Sequence, residues 1–364
     1  MSTSNSRLGS PDAPRNLSFV QAINEALHAA MAADPGVICY GLGVDDPKTI
    51  FGTTKGLKER FGPERVWDMP TSENAMTGVA IGAALQGLRP VMVHQRLDFF
   101  LLAMDQLVNN AAKWHYMFGG QRSVPITIRL VLGRGWGQGP THSQSLHAWF
   151  AHVPGLKVVM PTTPEDAKGL LLSSIFDPNP VLFFEHRWLH ETVGPVPEGD
   201  YRLPIGKARV LREGSDLTIV AMSYMVVEAI HAIEYLKQHD ISCELIDLRT
   251  VAPLDWDAVF LSVRKTGRLL ALDTGATTGS VGGEVVARVA IDCWDSLLQR
   301  PQRIALPDHP EPTSFGMTRG LHPRSENIVA AVNGMLGRNV PIEPLISQRR
   351  HSHDVPGDSF RGPF

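Results

Sequence analysis

Residues 67–92 read WDMPTSENAMTGVAIGAALQGLRPVM, and the fold turns on how that stretch is parsed. From Glu73 onward the residues suit a helix that is unusually smooth, with Ala75, Gly78, Ala80, Gly82, Ala83 and Ala84 in quick succession. Each glycine costs a helix interior about 1 kcal/mol relative to alanine, so the pattern predicts a second backbone packed closely against this helix. Glu73 stands at its mouth. A carboxylate held there away from water has its charged form disfavoured and can share a proton with a heterocycle nitrogen. As an ordinary first-turn acid it would only complement the helix dipole.

Outward from this stretch, helical and strand patterns alternate, as parallel α/β domains require. Phe19–Ala33 carries apolar residues at helical spacing and precedes a strand at Val37–Tyr40. The strand Pro90–His94, a helix over Leu97–Trp114 and the strand Ile126–Val131 follow. Residues 133–140, GRGWGQGP, form a glycine-rich loop without the Gly-Lys-Ser/Thr ending of a phosphate loop. It suits close approach to a ligand, or a mobile connection. Beyond the proline-rich stretch 194–204 a second alternation begins, with strands at Asp216–Ser223, Ser242–Leu248 and Arg268–Asp273 and helices at Val226–Gln238 and Gly283–Asp295.

A chain of 364 residues exceeds one typical core and predicts about two domains. A formal charge of -3 gives no electrostatic footprint for nucleic acid or an anionic membrane, and no apolar run reaches membrane-spanning length. Cys39, Cys243 and Cys293 are isolated in apolar surroundings and read as reduced core thiols. With no apolar signal core in MSTSNSRLGSPDAP, the expected compartment is the cytoplasm.

The run Asp68–Glu73 (DMPTSE) followed by Thr77–Ala84 (TGVAIGAA) resembles the thiamine-diphosphate glutamate motif of beta subunits of 2-oxo acid dehydrogenase decarboxylase components. AMDQ at 103–106, HSQ at 142–144, PGLKV at 154–158, DAKG at 166–169, DLRT at 247–250 and GGE at 282–284 follow in the family's order. The likeness runs from Leu17 to Gly337. It implies two parallel-sheet α/β domains: a thiamine-diphosphate pyrimidine-binding domain at 16–193, then a transketolase C-terminal-like domain at 206–340. A linker at 194–205 and flexible tails at 1–15 and 341–364 complete the expected layout.

The resemblance also implies a chemistry. A carboxylate bonded to the pyrimidine nitrogen N1' favours the imino tautomer, whose nitrogen then serves as a base toward the thiazolium carbon; Glu73 matches that carboxylate. His142 matches the histidine that moves protons as the acyl group leaves. Phe99 matches the aromatic packed on the aminopyrimidine. Gln95 puts a polar amide where relatives carry an apolar residue beside the cofactor, and Arg96 offers an anion partner, so a polar or anionic substrate is expected. No Gly-Asp-Gly occurs anywhere in the chain, and Gly199-Asp200-Tyr201 and Gly357-Asp358-Ser359 are poor approximations to it. Mg2+ and the diphosphate are therefore expected on an alpha-type decarboxylase subunit, in a tetramer of two alpha and two beta chains, and no metal ligand is assigned to this chain. The implied function is decarboxylation of a 2-oxo acid with acyl transfer to a lipoyl domain, with a lipoyl acyltransferase as a further partner. A two-chain transketolase-like carboligase acting on a polar or sugar-derived substrate is the alternative.

Overall fold

The computed structural model describes residues 15–135 and 137–357, together with Phe360 and Gly362. Of the N-terminal tail expected at 1–15, all but Arg15 lies outside the described residues; Arg15 pairs with Glu25. Two sheets organise the chain. The first has seven strands in the spatial order Thr250–Ala252, Lys157–Val159, Val181–His186, Thr127–Leu132, Arg89–His94, Val37–Gly41 and Val66–Asp68. All are parallel except Thr250–Ala252, which crosses over from the second half of the chain to pair antiparallel with Lys157–Val159. The second sheet has five strands ordered Gln302–Leu306, Leu269–Ala276, Leu217–Ala221, Cys243–Asp247 and Arg209–Arg212, parallel but for the last.

Strands covered on both faces read as unbroken apolar runs, which is why VICYG, TIRLVL and LTIVA are buried at every position. Helices supply the cover. In Phe19–Ala33 the Ser18 hydroxyl accepts from the Gln21 amide and the Gln21 side chain accepts from the Ser18 amide, a reciprocal cap that satisfies two orphan donors. Its buried stripe, from Phe19 through Ile23 and Leu27 to Met31, packs on the helix Pro164–Ile175. One apolar core runs without a break from Met92 and Leu130 of the first sheet to Val220 and Ile246 of the second. Among the described residues no helix is long and apolar enough to cross a membrane.

The structure departs from the sequence reading in two places. The single helix expected over Leu97–Trp114 is broken into an α turn at Leu97–Phe100, a 3₁₀ turn at Leu101–Ala103, a π segment at Gln106–Ala111 and an α segment at Ala112–Met117. Such π segments widen a helix locally and recur near functional sites. The tail expected to be flexible from 341 onward instead forms a short helix at Glu343–Ser347 and then folds back over the molecule. It is held because its polar groups find buried partners: Arg324 donates to the carbonyls of His353 at 3.2 Å and Val355 at 2.9 Å, and Asp354 faces Arg134.

Candidate active site

The first sheet has its topological switch point between Val37–Gly41 and Arg89–His94. From the first of these the chain moves to Val66–Asp68 on one side; from the second it moves to Thr127–Leu132 on the other. Ligands of open α/β sheets bind beyond the carboxyl ends of strands at such a point. Glu73, Gln95, Phe99 and His142 each follow the carboxyl end of one of these strands.

After Asp68 the chain turns through Met69–Ser72, with the Met69 amide bonded to Gly41 O at 3.0 Å, and enters the helix Glu73–Leu85. Ser72 gives no side-chain cap; the first turn is secured instead by the Thr77 hydroxyl, which donates to Glu73 O at 2.8 Å. Tyr40 ties the helix to the sheet through Met76 O at 3.0 Å. Thr77, Ala80, Ile81 and Ala84 face inward, whereas Ala75, Val79 and Gly82 are exposed, so this chain leaves part of the small-residue surface open. Glu73 is 4% exposed, and its carboxylate makes no hydrogen bond or ion pair among the described residues.

The Gly41-Leu42-Gly43 turn sits against the next strand end. A Cβ on Gly41 would lie 2.0 Å from Val93 O, and one on Gly43, where φ is +79°, would lie 2.2 Å from Gln95 Nε2. Only glycine fits at either place. Gln95 therefore lies over the switch point. Four residues on, Phe99 meets His142 edge to face, with centroids 5.2 Å apart and an interplanar angle of 87°. His142 is half-buried, with Nδ1 3.0 Å from the Thr141 hydroxyl. The structure thus joins Gln95 to the Gly43 turn and Phe99 to His142. No hydrogen bond connects Glu73 to any of them; they share one edge of the sheet.

Arg96 is not free to bind an anion. It is 4% exposed and donates to Gly133 O at 3.1 Å and to the Gln138 side chain, bracing the glycine-rich loop. Burial, with Arg187 near, lowers its guanidinium pKa to about 10. Trp188 adds a bond to Gly135 O at 3.1 Å, and Arg134 reaches Pro312 O at 2.8 Å. Glu311, 3.6 Å from Arg134, is pushed up to about 7 by burial, against the pull of that arginine. Trp136 of this loop lies outside the described residues.

Sequence reasoning missed one pair. His147 Nε2 lies 2.9 Å from Asp273 Oδ1, both buried, and Asp273 also accepts from the amides of Gly275 at 2.8 Å and Gly282 at 2.9 Å. Burial alone would raise the Asp273 pKa; the histidine and the two amides more than offset this and lower it. The pair clasps the two halves of the chain beside a cleft of about 950 Å³ that also opens onto Pro140, Ser143 and Gln144, next to His142. Among the described residues no three His, Cys, Asp or Glu side chains converge to hold a metal.

Residues 15–191 match the family "Transketolase, pyrimidine binding domain" and residues 206–328 match "Transketolase, C-terminal domain", which together define a transketolase-type α/β protein. A split gene transketolase solved as an inactive beta4 tetramer shares that fold, with a TM-score of 0.70 at 21% identity over 88% of this chain and 98% of its own. The pyruvate dehydrogenase E1 component subunit beta-1 of Oryza sativa is 42% identical over 334 residues, covering 91% of this chain and 89% of the relative. The acetoin:2,6-dichlorophenolindophenol oxidoreductase subunit beta of Cupriavidus necator is 41% identical, with 87% and 96% covered, and the 2-oxoisovalerate dehydrogenase subunit beta of Bacillus subtilis is 43% identical, with 81% and 90% covered. The chain belongs to the family of 2-oxo acid dehydrogenase E1 beta subunits.

Proposed function

We propose that this beta subunit holds the aminopyrimidine end of thiamine diphosphate, while an alpha-type subunit holds the diphosphate and Mg2+. The complex of two alpha and two beta chains decarboxylates a 2-oxo acid and hands the acyl group to the lipoyl domain of an acyltransferase. Glu73 carries this reading: a carboxylate on a 4% exposed residue, beyond the carboxyl end of the edge strand Val66–Asp68 and without a partner among the described residues, suits a heterocycle nitrogen brought in from outside. When bound, thiamine diphosphate supplies a carbon nucleophile and an electron sink for decarboxylation. Glu73 holds a proton against N1' of the pyrimidine. Phe99 offers an apolar surface beside it, and Gln95 an amide. His142, with Nδ1 turned to Thr141, keeps Nε2 for proton transfer toward the acceptor.

Because Arg96 is engaged with Gly133 and Gln138, it is not available to an anionic side chain of the substrate. Small 2-oxo acids with apolar side chains fit best, and relatives are named for pyruvate and 2-oxoisovalerate. The expectation of an anionic substrate loses the support it drew from Arg96, whereas the polar amide of Gln95 remains. Buried free thiols at Cys39, Cys243 and Cys293 suit the reducing cytoplasm. The test is co-expression with the alpha-type subunit and assay of a 2-oxo acid panel against lipoyl domain or aldehyde acceptors. Turnover with lipoyl domain supports the proposal; product formation from aldehydes alone refutes it. In titration calorimetry with Mg2+ the isolated chain should bind thiamine diphosphate weakly, and tight binding would refute the division between subunits.

A further inference from the structure

The glycine-rich loop that precedes His142 is fixed at its base by a residue from the far end of the chain. Arg134, second in that loop and 1% exposed, has Nη2 3.5 Å from Asp354 Oδ2 across 220 positions of sequence. The other carboxyl oxygen of Asp354 accepts from the Ser352 hydroxyl at 3.0 Å. The segment around Asp354 is itself clamped. Arg324 holds the carbonyls of His353 and Val355 and is held in turn by Glu228 at 2.9 Å and by the Tyr224 hydroxyl at 2.8 Å. The Tyr224 hydroxyl donates to Glu228 at 2.6 Å and lies 3.4 Å from Pro356 O, and His353 Nε2 lies 2.8 Å from Phe315 O.

The tail residues Ser352–Pro356 lie beyond the matched C-terminal domain, which ends at 328, whereas Tyr224, Glu228, Phe315 and Arg324, which hold them, lie within it. The loop they brace is crowded. Gly135 lies against Arg96 and Gln138, and Gly139 lies against Thr313, with a Cβ there only 2.2 Å from the Thr313 hydroxyl. A buried guanidinium without enough counter-charge is costly and pulls its backbone toward water. Glu311 and Asp354 are the carboxylates paired with Arg134. Burial pushes the Glu311 carboxyl up to about 7 against the pull of Arg134, and Asp354 of the tail brings a second carboxylate to 3.5 Å from the guanidinium.

We propose that residues 352–356 form a strap in which Asp354 is a positioning residue: it fixes Arg134 and, through it, the loop 133–142 that presents His142. The consequence for catalysis rests on the reading of His142 given above. The strap itself does not.

The experiment uses the full chain in its complex with the alpha-type subunit, comparing wild type with Asp354→Ala, Asp354→Asn and Asp354→Glu. Hydrogen exchange is followed peptide by peptide, alongside kcat and KM. Expected for the Ala and Asn variants is exchange about tenfold faster, confined to peptides covering 133–144 and 349–357, as local opening without global unfolding requires. With it, kcat falls severalfold while KM for the 2-oxo acid stays near wild type, and Glu restores both. Unchanged exchange at 133–144 in the Ala and Asn variants overturns the proposal. Uniformly faster exchange over the whole chain in the isosteric Asn variant also overturns it, because Asp354 then serves only global stability. Local loosening with kcat unchanged supports the strap and refutes instead the role given to His142.

Discussion

Replacing Glu73 by glutamine separates catalysis from folding more cleanly than any other change at this edge. The side chains match in length and shape, so a 4% exposed site accepts the new one without a cavity or a clash. No hydrogen bond or ion pair of the carboxylate is lost, since none is made among the described residues. What remains is the interaction of a first-turn charge with the helix dipole, about 0.3–1 kcal/mol. For domains of this size that lowers Tm by at most about 4 °C. Turnover is another matter. Removing a group that exchanges protons with the reacting system costs about a hundred- to ten-thousandfold, or about 3–5 kcal/mol of transition-state free energy. The assay is steady-state decarboxylation by the complex assembled with the alpha-type subunit, with calorimetric Tm measured on the same preparation. Turnover within tenfold of wild type would refute the assignment of Glu73. So would a Tm drop of tens of degrees, which would make Glu73 a structural residue.

Much of the fold was legible because burial writes itself into local pattern. The helix Phe19–Ala33 shows its 3.6-residue period in the letters, and the central strands Val37–Gly41 and Arg89–His94 show their double-sided burial as apolar runs. The burial of Glu73 at the start of its helix was legible too, but the second backbone expected against the small residues is not supplied by the described residues of this chain, where Ala75 and Gly82 are exposed. Interactions that depend on distant partners were not legible. Val181–His186 ends in Glu185 and His186, which look exposed until Arg129, 56 positions away, is found alongside. His147 and Asp273 are separated by 126 positions and belong to different halves of the chain. The break in the helix after Phe100 leaves no trace either, because Leu97, Phe100, Ala103, Leu107 and Ala111 keep a spacing that suits one continuous helix. The tail misleads by composition: its polarity suggests a segment that buries nothing, yet Asp354 is 8% exposed against a buried arginine.

Two further predictions follow from the interior and from the loop. Glu185 and Arg129, both fully buried and joined by bonds of 2.6 and 3.0 Å, form a pair that glutamine at 185 would leave uncompensated; guanidinium unfolding at pH 7 should show a loss of about 3–5 kcal/mol. Burial raises the Glu185 pKa but Arg129 and His190 outweigh it, giving about 2 against an ordinary 4.5, so the stabilisation is complete above 4.5 and is lost as pH falls toward 2; a gap between wild type and variant that stays constant from pH 7 to pH 3 would refute this. The last prediction concerns His142, whose ring plane is set by Phe99 and whose Nδ1 faces Thr141, so that proton traffic at Nε2 belongs to the transfer step rather than to cofactor activation at Glu73. His142→Ala should then depress acyl transfer to a lipoyl domain by about a hundredfold or more while leaving decarboxylation with an artificial electron acceptor much less affected. The comparison isolates the step because both assays require Glu73 and the same carbanion-forming chemistry, whereas only one requires a proton delivered to the departing acceptor. Equal losses in the two assays would move His142 to substrate binding or to the shared step. No loss in either would leave its contact with Phe99 as packing alone.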